Sequence, residues 1–123
     1  LHEVTSRVAS IVARSGVTTG LCVVFCPHTS ASLLLQENAD PSARADLLAW
    51  LARLAPDGDR RYEHDAEGAD DMAAHLRSAV TRSSETIPVS GGRLALGTWQ
   101  GIFLAEHRTS PHRRTLVVHV FGE

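Results

Sequence analysis

The chain has 123 residues, 43% hydrophobic and 21% charged, enough for one globular domain that buries roughly two-thirds of its unfolded surface without metal or disulfide staples. Twelve basic against fourteen acidic residues, a formal charge of -2, argue against a protein that coats nucleic acid or an anionic membrane. All twelve basic residues are Arg, which excludes Schiff-base, P-loop and kinase-type lysine chemistry, and 5% aromatic residues are too few for a platform that stacks single strands.

Val4, Val8, Ile11 and Val12 recur at helical spacing before Gly16, which stands where a C-cap belongs. Thr18–Cys26 is β-branched and apolar and reads as a strand; Pro27–Ser30 interrupts it, and Ser32–Leu35 resumes an extended, apolar character. Asp40-Pro41 marks a helix start, with Asp as the cap and Pro in the first turn. Leu47, Leu48, Leu51 and Leu54 then form one face of this second helix, with Trp50 on its flank. Asp70–Arg82 reads as a third helix carrying Met72, Leu76 and Ala79 towards the core. Ser90-Gly91-Gly92-Arg93 is a hairpin turn between Thr86–Val89 and Leu94–Leu96, and Trp99–Glu106 and Thr115–Phe121 are two further strands. Consecutive strands joined by short turns imply antiparallel pairing. The expectation is a single α+β domain over residues 1–123, with a largely antiparallel sheet and about three helices.

Cys22 and Cys26 are the only cysteines. Four residues apart on a strand they lie about 13 Å apart, whereas a disulfide needs Cα atoms within about 7 Å, so they read as reduced core thiols. No basic segment precedes an apolar one at the start, and no apolar run is long enough to span a bilayer. The expectation is a cytoplasmic protein with no membrane or nucleic-acid partner. The chain begins abruptly on Leu1-His2-Glu3, already the approach to a helix, and an extended segment before it is expected.

Four stretches concentrate polar groups. Pro27-His28-Thr29-Ser30 puts a histidine at a strand end, where sites are often built; a loop histidine among locally bonded hydroxyls is the alternative at even weight. Gln36-Glu37-Asn38-Ala39-Asp40-Pro41 brings a carboxylate and an amide to a helix N-terminus, which favours anions; capping explains Asp40 but not Glu37 or Asn38. Tyr62–His75 holds two histidines and five carboxylates, and Asp71 and His75, four apart, share a helix face, so the carboxylate can orient the imidazole. The spacing specifies no metal class, and a solvated acidic helix start remains the simpler reading. Gly97-Thr98-Trp99-Gln100-Gly101 suggests a bulge or a close backbone approach, and Glu106-His107-Arg108 a charged strand end. His2, His112 and His119 read as surface or packing residues.

Together, PHTSASLLLQENADP, YEHDAEGADDMAAHL and GRLALGTWQGIFLAEHR resemble the YjbQ-like family over almost the whole chain, from about Glu3 to Gly122-Glu123. Members of that family are described as secondary thiamine-phosphate synthases. The resemblance implies an α+β homotrimer with sites near subunit contacts, acting on a small phosphorylated molecule. It also implies one pocket lined by His28, Glu37, Asn38, His64, Asp71, His75, Trp99 and Gln100, with Arg108 a weaker member. The implied reaction joins an aminopyrimidine methyl pyrophosphate to a thiazole phosphate and releases pyrophosphate. In that reading Mg²⁺ neutralises the leaving group, Glu37 and Asp71 help hold the cation, Arg108 meets phosphate and Trp99 packs on the pyrimidine. The alternative is metal-assisted hydrolysis, with His28, His64 and His75 binding Zn²⁺ or a similar ion and Glu37 as base. A third is a non-catalytic trimeric module that binds a metal or a small anion. The expected catalytic residues are thus His28, Glu37 and His75, with Asn38, Asp71, Trp99, Gln100 and Arg108 binding substrate.

Overall fold

The computed structural model describes residues 1–123 and contains seven strands and three helices. In chain order these are β1 (His2–Glu3), α1 (Thr5–Ser15), β2 (Thr19–Phe25), β3 (Ala31–Glu37), α2 (Pro41–Leu54), α3 (Asp71–Val80), β4 (Ser84–Ser90), β5 (Arg93–Leu94), β6 (Gln100–Glu106) and β7 (Val117–Gly122). They form two wholly antiparallel sheets, ordered β1-β6-β3 and β5-β4-β2-β7. The α+β expectation holds, divided over two sheets. No helix is long and apolar enough to cross a membrane.

One buried cluster draws on both sheets and α1. Val4, Val8 and Val12 supply the helical stripe, Cys22 and Val24 come from β2 and its partner residues Ile87 and Val89 from β4, and Leu33 and Ile102 come from the other sheet. Complete burial of such side chains contributes about 1.5–3 kcal/mol each, before chain entropy is counted. Cys22 and Cys26 are both free and buried, as their spacing requires. Gly91 and Gly92 close the β4–β5 hairpin with φ of 58° and 76°, the left-handed pair that a two-residue turn between twisted strands demands.

Two helix faces depart from expectation. On α2, Asp40 caps the Ser42 N–H at 2.9 Å, but only Leu51 of the leucine face is buried, while Leu48, Trp50 and Leu54 stay exposed. The helix lies against the protein along one narrow line. On α3 the residues driven inward are Asp71, Ala73 and Ala74; Met72 and Leu76 are half-buried and Ala79 is exposed. Small side chains let this helix approach β3 closely, where the Ser78 hydroxyl donates to the Ala31 carbonyl at 3.2 Å. Close approach thus outweighs side-chain size in choosing the inner face of α3, and it carries a carboxylate inward.

Candidate metal and substrate site

Asp71, in the first turn of α3, is 2% exposed. A buried carboxylate must be paired. Its Oδ2 accepts from Nε2 of His64 at 2.6 Å and lies 3.2 Å from Nε2 of His75, while its Oδ1 meets Nη1 of Arg108 at 2.9 Å. Burial alone would raise the Asp71 carboxyl, but hydrogen bonding from His64 and Glu67, with smaller contributions from His75 and Arg108, more than offsets it and holds the group below the ordinary carboxylate range. Arg108 also donates to Asp70 at 2.9 Å and to the Glu67 carbonyl at 2.9 Å. It is therefore committed to bracing the acidic loop, not free to meet a phosphate.

His64, Asp71 and His75 each place one ligand atom within 4.8 Å of the other two. His64 is half exposed and His75 partly so, giving the group a closed side at Arg108 and an open side towards solvent. A cleft of about 420 Å³ opens beside His64, with Arg60, Tyr62 and Asp65 in its wall. A second, of about 370 Å³, opens beside His75 and is lined by Thr29, Ser78, Ala79, Thr81 and Ser83.

His28 takes no part in this cluster. Its Nε2 accepts the Thr115 N–H at 3.0 Å, which fastens the loop after β2 to the segment before β7. The expected three-histidine set is thus replaced, within the chain, by two histidines and Asp71. Glu37 is also elsewhere. It pairs in register with Gln100 at one end of the β3–β6 ladder, whereas Ala31 pairs with Glu106 at the other, and α3 lies against the Ala31 end. Six residues of strand separate the two ends by about 20 Å. Glu37 instead accepts the Asp40 N–H at 3.1 Å. Asn38 donates to Glu3 at 3.3 Å and takes the Trp99 carbonyl on its own N–H, Gln100 folds its side chain back onto the Gly97 N–H at 2.8 Å, and Trp99 stands 64% exposed. One chain therefore carries two groups of expected site residues, one at each end of the ladder.

His107 escaped the sequence reading as anything beyond a charged strand end. It is 5% exposed, and its Nε2 lies 2.8 Å from the buried Ser32 hydroxyl, which is in turn bonded to the Thr81 hydroxyl. Burial, with a smaller contribution from the charge of Arg77, pushes this imidazole down to about 4. The signal was present: Phe103, Ala105 and His107 alternate onto one face of β6 and its extension, and the first two are apolar. Arg114 was likewise passed over; it grips Glu106 through two bonds of 2.6 Å and the Ser30 hydroxyl at 2.9 Å.

Two antiparallel sheets with three helices place the chain among small single-domain α+β proteins. Over residues 1–123 it matches the family described as "UPF0047 protein YjbQ-like", and it belongs to that family. The UPF0047 protein sll1880 of Synechocystis is 58% identical over 123 residues, covering 100% of this chain and 84% of that protein. The UPF0047 protein YjbQ of Escherichia coli O157:H7 is 43% identical, covering 99% and 88% respectively. Among solved structures, an uncharacterised conserved protein of the YjbQ/UPF0047 family from Clostridium acetobutylicum superposes with a TM-score of 0.89 at 39% identity, over 97% of this chain and 88% of that one. A hypothetical protein from Aeropyrum pernix gives 0.89 at 35% identity, over 98% and 87%.

Proposed function

We propose that this protein is a divalent-metal-dependent enzyme that hydrolyses a small phosphorylated molecule, with His64, Asp71 and His75 as the metal ligands. One observation carries the reading: both nitrogens of His75 face acceptors. Nδ1 lies 3.0 Å from the Thr29 carbonyl, which only accepts, and Nε2 lies 3.2 Å from Asp71 Oδ2. Such a ring is satisfied either by a second proton or by a cation on Nε2, and the His64 nitrogen that converges on the same carboxylate oxygen favours the cation.

The donor set supports a borderline metal such as Zn²⁺ over Mg²⁺, which prefers oxygen ligands and keeps its waters. Three protein ligands with an open side are the catalytic pattern rather than the closed structural one. Such a cation supplies Lewis acidity towards a phosphate oxygen and acidifies a water molecule. Arg108 keeps Asp71 oriented through Oδ1, leaving Oδ2 to the cation. The exposed Arg60 in the cleft beside His64 is suited to a substrate anion.

Formation of thiamine phosphate is the second reading, favoured by the bare indole of Trp99, which is suited to packing on a pyrimidine. With Trp99 and Gln100 at the far end of the ladder, that reading needs a neighbouring copy, as in a homotrimer, to bring them to the cation. The test is to load purified protein with Zn²⁺, Mn²⁺ or Mg²⁺ and assay phosphate release from aryl phosphates and pyrophosphate. Thiamine phosphate formation from the two named substrates is measured in parallel. Zn²⁺-dependent phosphate release that disappears in Asp71→Asn supports the hydrolase; Mg²⁺-dependent product formation without phosphate release replaces it with the synthase.

A further inference from the structure

We propose that the substrate of the His64–Asp71–His75 cluster is the phosphate monoester of a polyhydroxylated alcohol, a sugar or a sugar-like polyol, with the alcohol part seated in the cleft beside His75. The His64 and His75 rings stand 5.3 Å apart, centroid to centroid, and each borders a different cleft. The two clefts differ in chemistry. The one beside His64 holds the cation Arg60, and its Asp59 is already matched by Arg61 at 2.6 Å. Asp65 shares that wall, so a bound metal carries most of a phosphate's charge there and Arg60 the rest.

The cleft beside His75 is neutral. Apart from His75 no ionisable side chain lines it; Thr29, Ser78, Thr81 and Ser83 do, with Ala79 the only wholly apolar side chain. Ser78 gives its hydrogen to the Ala31 carbonyl at 3.2 Å, and Thr81 gives its own to the Ser32 hydroxyl or the Arg77 carbonyl, so both are left to the cleft as acceptors. The exposed hydroxyls of Thr29 and Ser83 make no bond within the chain and are free to donate or accept. A wall that donates and accepts at several points matches alcohol groups, which do the same. It offers an aryl ring or a nucleobase no face to pack on. The cleft also lies over the last turn of α3, through Ser78 and Ala79, where unpaired carbonyls form the negative end of the helix dipole. A phosphate is disfavoured there and a neutral polyol is not. At about 370 Å³ the cleft is near the small end of ligand sites, which run from about 300 to 1,000 Å³.

The ester then spans the two rings, phosphate at the cluster and towards Arg60, alcohol among the hydroxyls. Water adds to phosphorus and the bond from phosphorus to the ester oxygen breaks. That oxygen leaves with one proton of the water as the free polyol, and the other proton stays on the phosphate. Turnover of such an ester rests on the hydrolase reading; its binding does not. The full chain, metal-free and zinc-loaded, is therefore titrated by calorimetry with sorbitol phosphate and hexyl phosphate, acyclic esters of equal length that differ only in their hydroxyls. Phosphate release from both is measured on the same samples. Sorbitol phosphate is expected to bind at least about tenfold more tightly in either state, the worth of two or more ordinary hydrogen bonds. Ser83→Ala and Thr29→Val should each narrow that advantage by about 2–10-fold, and Ser83→Thr, which keeps the hydroxyl, should preserve it. Equal affinity for the two esters, binding of neither, or an advantage that survives both variants overturns the polyol site. Zinc-dependent release at the same kcat/KM from both esters overturns it too and leaves the hydrolase standing. A preference for sorbitol phosphate that both variants narrow, in a protein that releases no phosphate, upholds the polyol site and removes the hydrolase reading instead.

Discussion

Asp71 gives Oδ1 to Arg108 at 2.9 Å and so presents Oδ2 alone to the two imidazoles. The pairing explains how a carboxylate that is 2% exposed survives at a helix start. It also makes the residue irreplaceable in a definite sense. Asp71→Asn keeps the shape but removes the charge that both His75 and Arg108 face. Zinc binding, followed by calorimetry, should fall by more than the roughly 100-fold cost of losing a supporting bond. His112→Ala, in the exposed loop before β7, should leave binding unchanged. Equal affinity in wild type and Asp71→Asn would show that the carboxylate is no ligand.

A pH effect follows from His107. Its imidazole is held at about 4 in the folded protein, against about 6.5 in an unfolded chain. Between those values the unfolded chain binds the extra proton, so stability rises with pH through this window. It is lost as pH falls from about 6.5 towards 4, by about 3 kcal/mol from this group. Asp70 and Glu106 are carboxylates held low by Arg108 and Arg114, the latter against its own burial. Their contribution has the same sign but disappears only below the ordinary carboxylate range. Urea midpoints measured from pH 7 to 4 should therefore drop in wild type and drop less in His107→Gln. Parallel curves for the two proteins would refute the assignment.

The outer face of the β2–β7 pair leaves Leu21, Phe25, Val117 and Phe121 exposed, with Leu21 opposite Phe121 and Phe25 opposite Val117. A cluster of this kind is costly in water. Multi-angle light scattering should give a homotrimer, three times 13.3 kDa. Phe25→Glu should shift the mass downward. A 13.3 kDa wild-type species at micromolar concentration would contradict the assembly.

Cys22 and Cys26 are 0% and 2% exposed, and burial raises both thiols above their ordinary range. They should resist thiol reagents in the native protein and react fully in denaturant. Replacing both with Ala should cost about 1–3 kcal/mol of stability without changing turnover or zinc content. Loss of zinc at unchanged stability would make them ligands.

Local signals settled much of this protein before any contact was considered. Asp40-Pro41 started α2, Gly91-Gly92 closed a hairpin, and the valine stripe marked the inner face of α1, because caps, turns and periodic faces depend on residues within a few positions of each other. Gly101 was legible as a close approach: a Cβ there would lie 2.8 Å from Glu3 and 2.9 Å from Asn38. The i,i+4 spacing of Asp71 and His75 was legible too, since one helix brings them together. What the tertiary structure decided was which remote groups meet them. His64 joins Asp71 through an irregular loop, Arg108 arrives from the end of β6, and the Thr29 carbonyl comes from another strand's end. Glu37 is parted from His75 by the length of β3, a distance set by the antiparallel register. Backbone carbonyls leave no mark in the sequence, and a ladder's register depends on both strands at once, so the partners of His75 were decided only when the two sheets and α3 packed together.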